Sequence, residues 1–313
     1  MILLDPLARP VVGHRGNRAH APENTIPSLL EAVALGVDAV EFDLHVSRDG
    51  QLVVIHDATL DRTTGESGPI VGRSLRELQQ VDAGFRFTPD GGRTYPWRGR
   101  GATVPSFDEL VESLPRNLPF IIELKTSAAT EPLRAAVRRH HLASRIIVAG
   151  FSAQSVQPLR GEGFAIGAST GDVVKALPSA FVGRQVAPSC DAFCIPPSHN
   201  GIPVPIGALV RALRASRTVV HVWTVNHREQ ARRVELPVRA AQRDAPLRGP
   251  ELEPRAARHG EITLCALEGP GQHAHPVDHL SGNHVEVCVP VPVHVRDLVH
   301  GQPPEVHLEV LPV

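Results

Sequence analysis

Aromatic side chains and lysines are what this chain of 313 residues has least of. It carries one tyrosine, two tryptophans and nine phenylalanines, and only Lys125 and Lys175 among its 32 basic residues are lysines. The four cysteines (Cys190, Cys194, Cys265 and Cys288) include no Cys-x-x-Cys pair and no metal-ligand spacing. Reduced thiols are therefore the expectation. No apolar run reaches the roughly 18 residues that a spanning helix needs. Neither sign of charge dominates: 33 acids against 32 basic residues leave a formal charge of -1. The bulk charge therefore provides no field to draw nucleic acid or an anionic membrane. The opening stretch has an acid at Asp5 and no basic region or cleavage site, which reads as cytoplasmic.

The scarcity of aromatics is uneven. None occurs after Trp223, whereas residues 235–313 hold 8 of the 17 histidines and 11 of the 29 prolines. A stretch without aromatics and rich in proline is poor core material. The sequence therefore divides into a globular body over residues 1–233 and an atypical tail over 234–313. The composition of that tail is what a shift of reading frame near residues 233–236 would leave. Its one ordered-looking part is His284–Val295, where valines recur at alternate positions. Pro290 and Pro292 remove ladder donors there, so such a strand is expected at a sheet edge.

What the body does have is alternation. Strand-like runs are Pro10–Gly13, Asp38–Val46, Leu52–His56, Pro119–Lys125, Arg145–Gly150, Phe164–Ala168, Ala192–Ile195 and Thr218–Val225. Helical patterns fall between most of them, at Thr25–Leu35, Ser74–Val81, Ser106–Ser113, Thr130–His140, Ala153–Arg160 and Gly207–Ala215. Such alternation predicts an α/β fold with a parallel sheet, either doubly wound or a (β/α)₈ barrel. Asp38–Val46 and Leu52–His56 are too close in sequence for a crossover, and Asp49-Gly50 marks a hairpin turn between them. A two-residue loop there would set Asp43 opposite His56. Without the hairpin return, seven barrel-type strands precede Val225, and an eighth is missing or aberrant.

Glu41 and Asp43 share one face of a strand, and Glu123 and Lys125 share a face of another. Buried acids are costly unless they are paired or ligate a cation. Each acid taken alone reads first as the salt-bridge partner of a neighbouring arginine. Converging at strand ends, the three would make a hard oxygen site for Mg²⁺ or Ca²⁺. His14 and His56 also end strands, where two imidazoles can act as an acid–base pair, although a lone histidine is more often structural. Arg15 offers a fork suited to phosphate. Cys190 and Cys194 read as small buried thiols, and His140-His141 as a helix terminus.

Five motifs follow in order from His14 to Asn226: His14-Arg15-Gly16, Pro22-Glu23-Asn24-Thr25, Glu41-Phe42-Asp43 with Asp49-Gly50 and His56-Asp57, Glu123-Leu124-Lys125, and Trp223-Thr224-Val225-Asn226. In these the chain resembles the glycerophosphodiester phosphodiesterase family. Leu60–Pro105 is similar to that family's short insertion, and the Pro-Pro-Ser-His-Asn within Ile195–Pro203 is family-like.

The resemblance implies a (β/α)₈ barrel with a divalent cation, Ca²⁺ or Mg²⁺. It implies hydrolysis of glycerophosphodiesters to glycerol 3-phosphate and an alcohol. Carried over by position, it makes His14 and His56 the catalytic histidines and Glu41, Asp43 and Glu123 the metal ligands. Arg15 and Lys125 become the phosphate contacts, and Trp223 the aromatic of the substrate pocket. Where the family continues to a last strand after Trp-Thr-Val-Asn, this sequence does not. Two alternatives therefore stand beside the hydrolase: an inactive or poorly folded remnant of one, and a phospholipase-D-like activity on lysophospholipids. In the tail, His273, His275 and His279 have metal-ligand spacing, which an out-of-frame origin would make incidental. Oligomeric state leaves no mark in the sequence.

Overall fold

Short valine- and isoleucine-rich runs favour extended backbone, and the helical patterns between them supply the crossovers that parallel pairing requires. The protein, as a computed structural model, is described here over residues 1–6, 8–226 and 287–291. Its strands are β1 (Val12–His14), β2 (Ala39–Val46), β3 (Leu52–Val54), β4 (Phe120–Leu124), β5 (Ile146–Ala149) and β6 (Ala165–Ile166). There follow β7 (Ala192–Ile195), a small hairpin of β8 (Ser198–His199) and β9 (Ile202–Pro203), β10 (Val219–Val225) and β11 (Val287–Val291). The helices are α1 (Ile26–Ala34), α2 (Leu75–Leu78), α3 (Phe107–Ser113), α4 (Thr130–Arg139), α5 (Ala153–Val156), α6 (Thr170–Phe181) and α7 (Ile206–Leu213).

β1, β2, β4, β5 and β6 pair in that order, all parallel. A parallel bridge between Gly167 and Ala192 carries the sheet on to β7, which pairs in parallel with β10. β11 lies between β10 and β1, antiparallel to both, and closes the ring. This is the expected α/β barrel, with one difference at its seam. The valine-rich stretch of the tail was expected at an edge and instead has a partner on each side. Without it β1 and β10 would each present an open row of backbone donors and acceptors, and pairing both removes two edges at once. The rest of the tail, with His273, His275 and His279, lies outside the described residues.

Strand alternation sorts the side chains into two cores. Val40, Phe42 and Leu44 of β2, with Phe120 and Ile122 of β4, face outward and bury against α1, α3 and α4. Val12, Ala39, Ile121, Ile147, Ala165, Ala192 and Val219 face inward and fill the lower lumen around Leu3. Leu3 sits in a short 3-10 helix at Ile2–Leu4, and the buried His221 ring donates from Nε2 to its carbonyl at 2.9 Å. The N-terminal residues thus plug the floor of the barrel. The inward row of β2 then changes from Ala39 to Glu41 and Asp43 higher up, which sets the chemistry at the C-terminal ends of the strands.

Two local expectations need correcting. The hairpin loop is three residues long, not two. Ser47 N donates to Gln51 O at 2.9 Å, and Gly50 takes the left-handed φ of 77° that such a loop requires. The register therefore pairs Leu44 with Val54, and Ile55 N donates to Asp43 O at 3.1 Å. Asp43 stands opposite Ile55, and His56 lies just past the ladder. The sequence reading also misses α6, because Gly171 and Pro178 are breaker signals inside it. Its start is secured by a capping box in which Ser169 accepts from Asp172 N and Asp172 accepts from Ser169 N.

Candidate active site

Each wall of the site comes from a strand end and the loop beyond it. β1 delivers His14 and then turns sharply. Arg15 has φ 56° and Gly16 φ 84°. A side chain at Gly16 would put its Cβ 2.5 Å from both the Ser28 carbonyl carbon and its Oγ, so only glycine lets this turn lie against α1. The turn brings Arg15 N within 2.9 Å of Glu41 O and 3.1 Å of Glu41 Oε2. Asn24, left-handed at φ 59°, clasps Asp43 from both sides. Its Nδ2 donates to Asp43 Oδ2 at 2.8 Å, and its Oδ1 accepts from Asp43 N at 3.2 Å.

Glu41, Asp43 and Glu123 each offer an oxygen within 4.8 Å of the others. Two cations reach into this cluster. Lys125 Nζ lies 2.8 Å from Asp43 Oδ1 and 2.5 Å from Glu123 Oε1. Arg15 Nε lies 3.1 Å from Asp43 Oδ2, an ion pair aligned too poorly to count as a hydrogen bond, and one of its two terminal nitrogens reaches Glu23 Oε1 at 3.0 Å.

The protonation tendencies follow from this crowding. Burial would raise Asp43, but Arg15 and Lys125 outweigh it and hold the carboxyl below its usual range. Glu41 is pushed well above the ordinary carboxylate range by burial and by the Asp43 charge beside it. Glu123 is raised for the same two reasons. Two of the three acids thus lean towards the neutral form, since two basic groups do not balance the buried negative charge. A hard divalent cation suits that donor set, and Glu41, Asp43 and Glu123 are the residues that could hold it.

The two histidines flank the cluster differently. His14 Nε2 lies 3.7 Å from Glu41 Oε2, and its Nδ1 lies 3.4 Å from Thr224 Oγ1. Its ring stacks on Trp223 at 6.1 Å between centroids, and Phe151 meets the same indole edge-on at 5.9 Å. His56 Nδ1 is 2.5 Å from Asp57 Oδ1. Burial lowers its tendency to protonate, while the Asp43 charge partly restores it. The eight side chains that the resemblance assigned to the site thus come together: His14, Arg15, Glu41, Asp43, His56, Glu123, Lys125 and Trp223.

Four residues that the sequence reading gave no role complete the arrangement: Glu23, Asn24, Asp57 and Arg62. Arg62 joins Asp57 to Glu23, at 2.5 Å and 2.6 Å. The signal for Asn24 is present, because a buried strand acid needs a neutral donor as well as cations. Arg62 has no such signal, since a lone arginine in a loop reads as surface. Cys190 and Cys194 take no part, each pushed up to about 12 by burial.

Residues 14–247 match the family described as "Glycerophosphoryl diester phosphodiesterase family". A glycerophosphodiester phosphodiesterase of Caldanaerobacter subterraneus is 28% identical over 240 residues, which is 72% of this chain and 88% of that protein. A crystal structure of a glycerophosphodiester phosphodiesterase from Agrobacterium tumefaciens superposes with a TM-score of 0.55 at 28% identity, over 71% of this chain and 90% of the other. The glycerophosphoryl diester phosphodiesterase domain of a Mycobacterium tuberculosis protein reaches 0.61 at 21% identity, over 75% and 99%, and speaks to the fold alone.

Proposed function

The chain belongs to the glycerophosphoryl diester phosphodiesterase family, and on that premise we propose that it hydrolyses glycerophosphodiesters to glycerol 3-phosphate and an alcohol. The observation that carries the reading is the meeting of Glu41, Asp43 and Glu123 within 4.8 Å, with His14, Arg15 and Lys125 against them and His56 near enough to feel the Asp43 charge. Glu41, Asp43 and Glu123 would hold Ca²⁺ or Mg²⁺, which when bound supplies Lewis-acidic positive charge to the substrate's non-bridging oxygens.

The chain's own residues do the rest. Arg15 and Lys125 draw the anionic diester in and stabilise the charge that grows on its oxygens. One histidine takes the proton from the nucleophile, either water or the glycerol 2-hydroxyl, the latter giving a cyclic phosphate that water then opens. The other histidine gives a proton to the departing alkoxide. Burial favours a neutral His56 near pH 7, the form a base needs in the first half of such a cycle. Trp223, backed by His14 and Phe151, offers an apolar wall for the glycerol carbons.

The test is release of glycerol 3-phosphate from glycerophosphocholine and glycerophosphoethanolamine by the full-length chain, with each cation and with chelator. Release that chelator abolishes is expected. Absence of release with both cations would overturn the reading and favour an inactive remnant.

A further inference from the structure

The loop after β3 holds an arginine whose hydrogen bonds reach into the site. Arg62 donates from Nε to Asp57 Oδ2 at 2.5 Å and from one terminal nitrogen to Asp57 Oδ1 at 3.3 Å. The same guanidinium donates to Glu23 Oε1 at 2.6 Å and to Glu23 Oε2 at 3.0 Å. One fork therefore holds both oxygens of two carboxylates that lie 34 residues apart in the chain. Each carboxylate in turn holds a residue of the site. Asp57 lies 2.5 Å from His56 Nδ1, and Glu23 lies 3.0 Å from the Arg15 guanidinium.

We propose that Arg62 is a positioning residue for the diesterase site, which fixes the orientation and tautomer of His56 through Asp57 and the aim of Arg15 through Glu23. The proposal rests on the activity proposed above. An ionised carboxylate only accepts hydrogen bonds, so Asp57 bound to Arg62 requires the proton on His56 Nδ1 and leaves His56 Nε2 as the reacting nitrogen. Were Asp57 released, His56 could turn or exchange tautomers, and its reacting nitrogen would be lost from its place.

The ordinary alternative is an exposed ion pair of little consequence. The Arg62 side chain is 48% exposed, yet Glu23 and Asp57 are 13% and 27% exposed, and both pairs are bidentate. Lysine could not replace it, because a point charge on a flexible stem cannot fork onto two carboxylates at once.

The test compares the full-length parent with Arg62→Gln and Arg62→Lys. In steady-state hydrolysis of glycerophosphocholine, Arg62→Gln should lose roughly 10- to 100-fold in kcat with KM held within about twofold, as for other outer residues that orient a reacting group. Arg62→Lys, which can keep one carboxylate at a time, should recover part of that loss. Long-range ¹H–¹⁵N spectra, with the His56 signal assigned by His56→Gln, should show the Nδ1–H form in the parent and a shift toward Nε2–H in Arg62→Gln. An unchanged kcat together with an unchanged His56 tautomer in both variants would overturn the proposal, even if thermal stability falls. If the parent itself hydrolyses no diester, the activity reading fails, and the tautomer spectra still decide the role of Arg62.

Discussion

The two sides of the barrel are built on different terms. On one side β1, β2 and β4 run parallel in unbroken register, with β3 returning antiparallel beside β2, and the charged groups of the site described above hang from these four strands or from the loops after them. On the other side β10 meets β11 antiparallel, with a shift of register between Val222 and Val225. Among the described residues, that side brings Trp223 and Thr224 to the mouth and His221 to the floor. The difference teaches that the chemistry depends on one continuous patch of parallel sheet, whereas closure depends on a seam that supplies shape and stability. Damage on the first side should appear in catalysis, and damage on the second in folding.

The sharpest way to break the comparison is at Asp43, which binds Arg15, Lys125 and Asn24 at once. Asp43→Asn removes the charge that those groups converge on and that the proposed cation would share. It should lower kcat for glycerophosphocholine by on the order of 10³-fold with little loss of thermal stability. A comparable fall in melting temperature would mean that the acid serves the fold first. On the floor beneath the seam the reverse is expected. Leu3→Ala empties a fully buried position in the lumen and should cost about 3 kcal/mol in chemical denaturation, while kcat stays within about twofold.

His221 sharpens the contrast through pH. Its ring is fully buried, and desolvation pulls it down to about 4, although its bond to the Leu3 carbonyl opposes this. The unfolded chain, near 6.5, binds the proton first as pH falls, so the native state loses stability between those two values. At pH 5 the loss relative to pH 7 should be about 2 kcal/mol from this group alone. Denaturation curves should show it, and His221→Gln should flatten it. The smallest effect belongs to Thr224, whose hydroxyl sits 3.4 Å from His14 Nδ1. Thr224→Val should change kcat by no more than about threefold, because so long a hydrogen bond contributes little.

Much of this was legible in the sequence, for physical reasons that differ by element. Alternation along Ala39–Val46 placed Glu41 and Asp43 on one face, and the same rule at Phe120–Leu124 placed Glu123 with Lys125, while the parallel register that sets Glu123 beside Asp43 came only from the structure. The hairpin was marked by Asp49-Gly50, but not its loop length, which turns on the conformation of Gly50 and moves the register by one residue. Pro178 hid α6, since a proline late in a helix looks like its end. The pairing of Val287–Val291 was beyond reach, because its partners are two distant strand edges and nothing local specifies them. Arg62 was hidden for the same reason. Its partner Glu23 lies 39 residues away, and a guanidinium in a loop carries no period to read.

The central claim is that the parallel side of the barrel forms a divalent cation site from Glu41, Asp43 and Glu123. Calorimetric titration of the chelator-stripped full-length protein with Ca²⁺ and with Mg²⁺ tests it most directly. The account predicts one ion per chain for at least one of the two, with binding lost in Glu41→Gln and in Glu123→Gln variants that still melt cooperatively. Absence of binding by the folded parent, or binding that survives both substitutions, would contradict it.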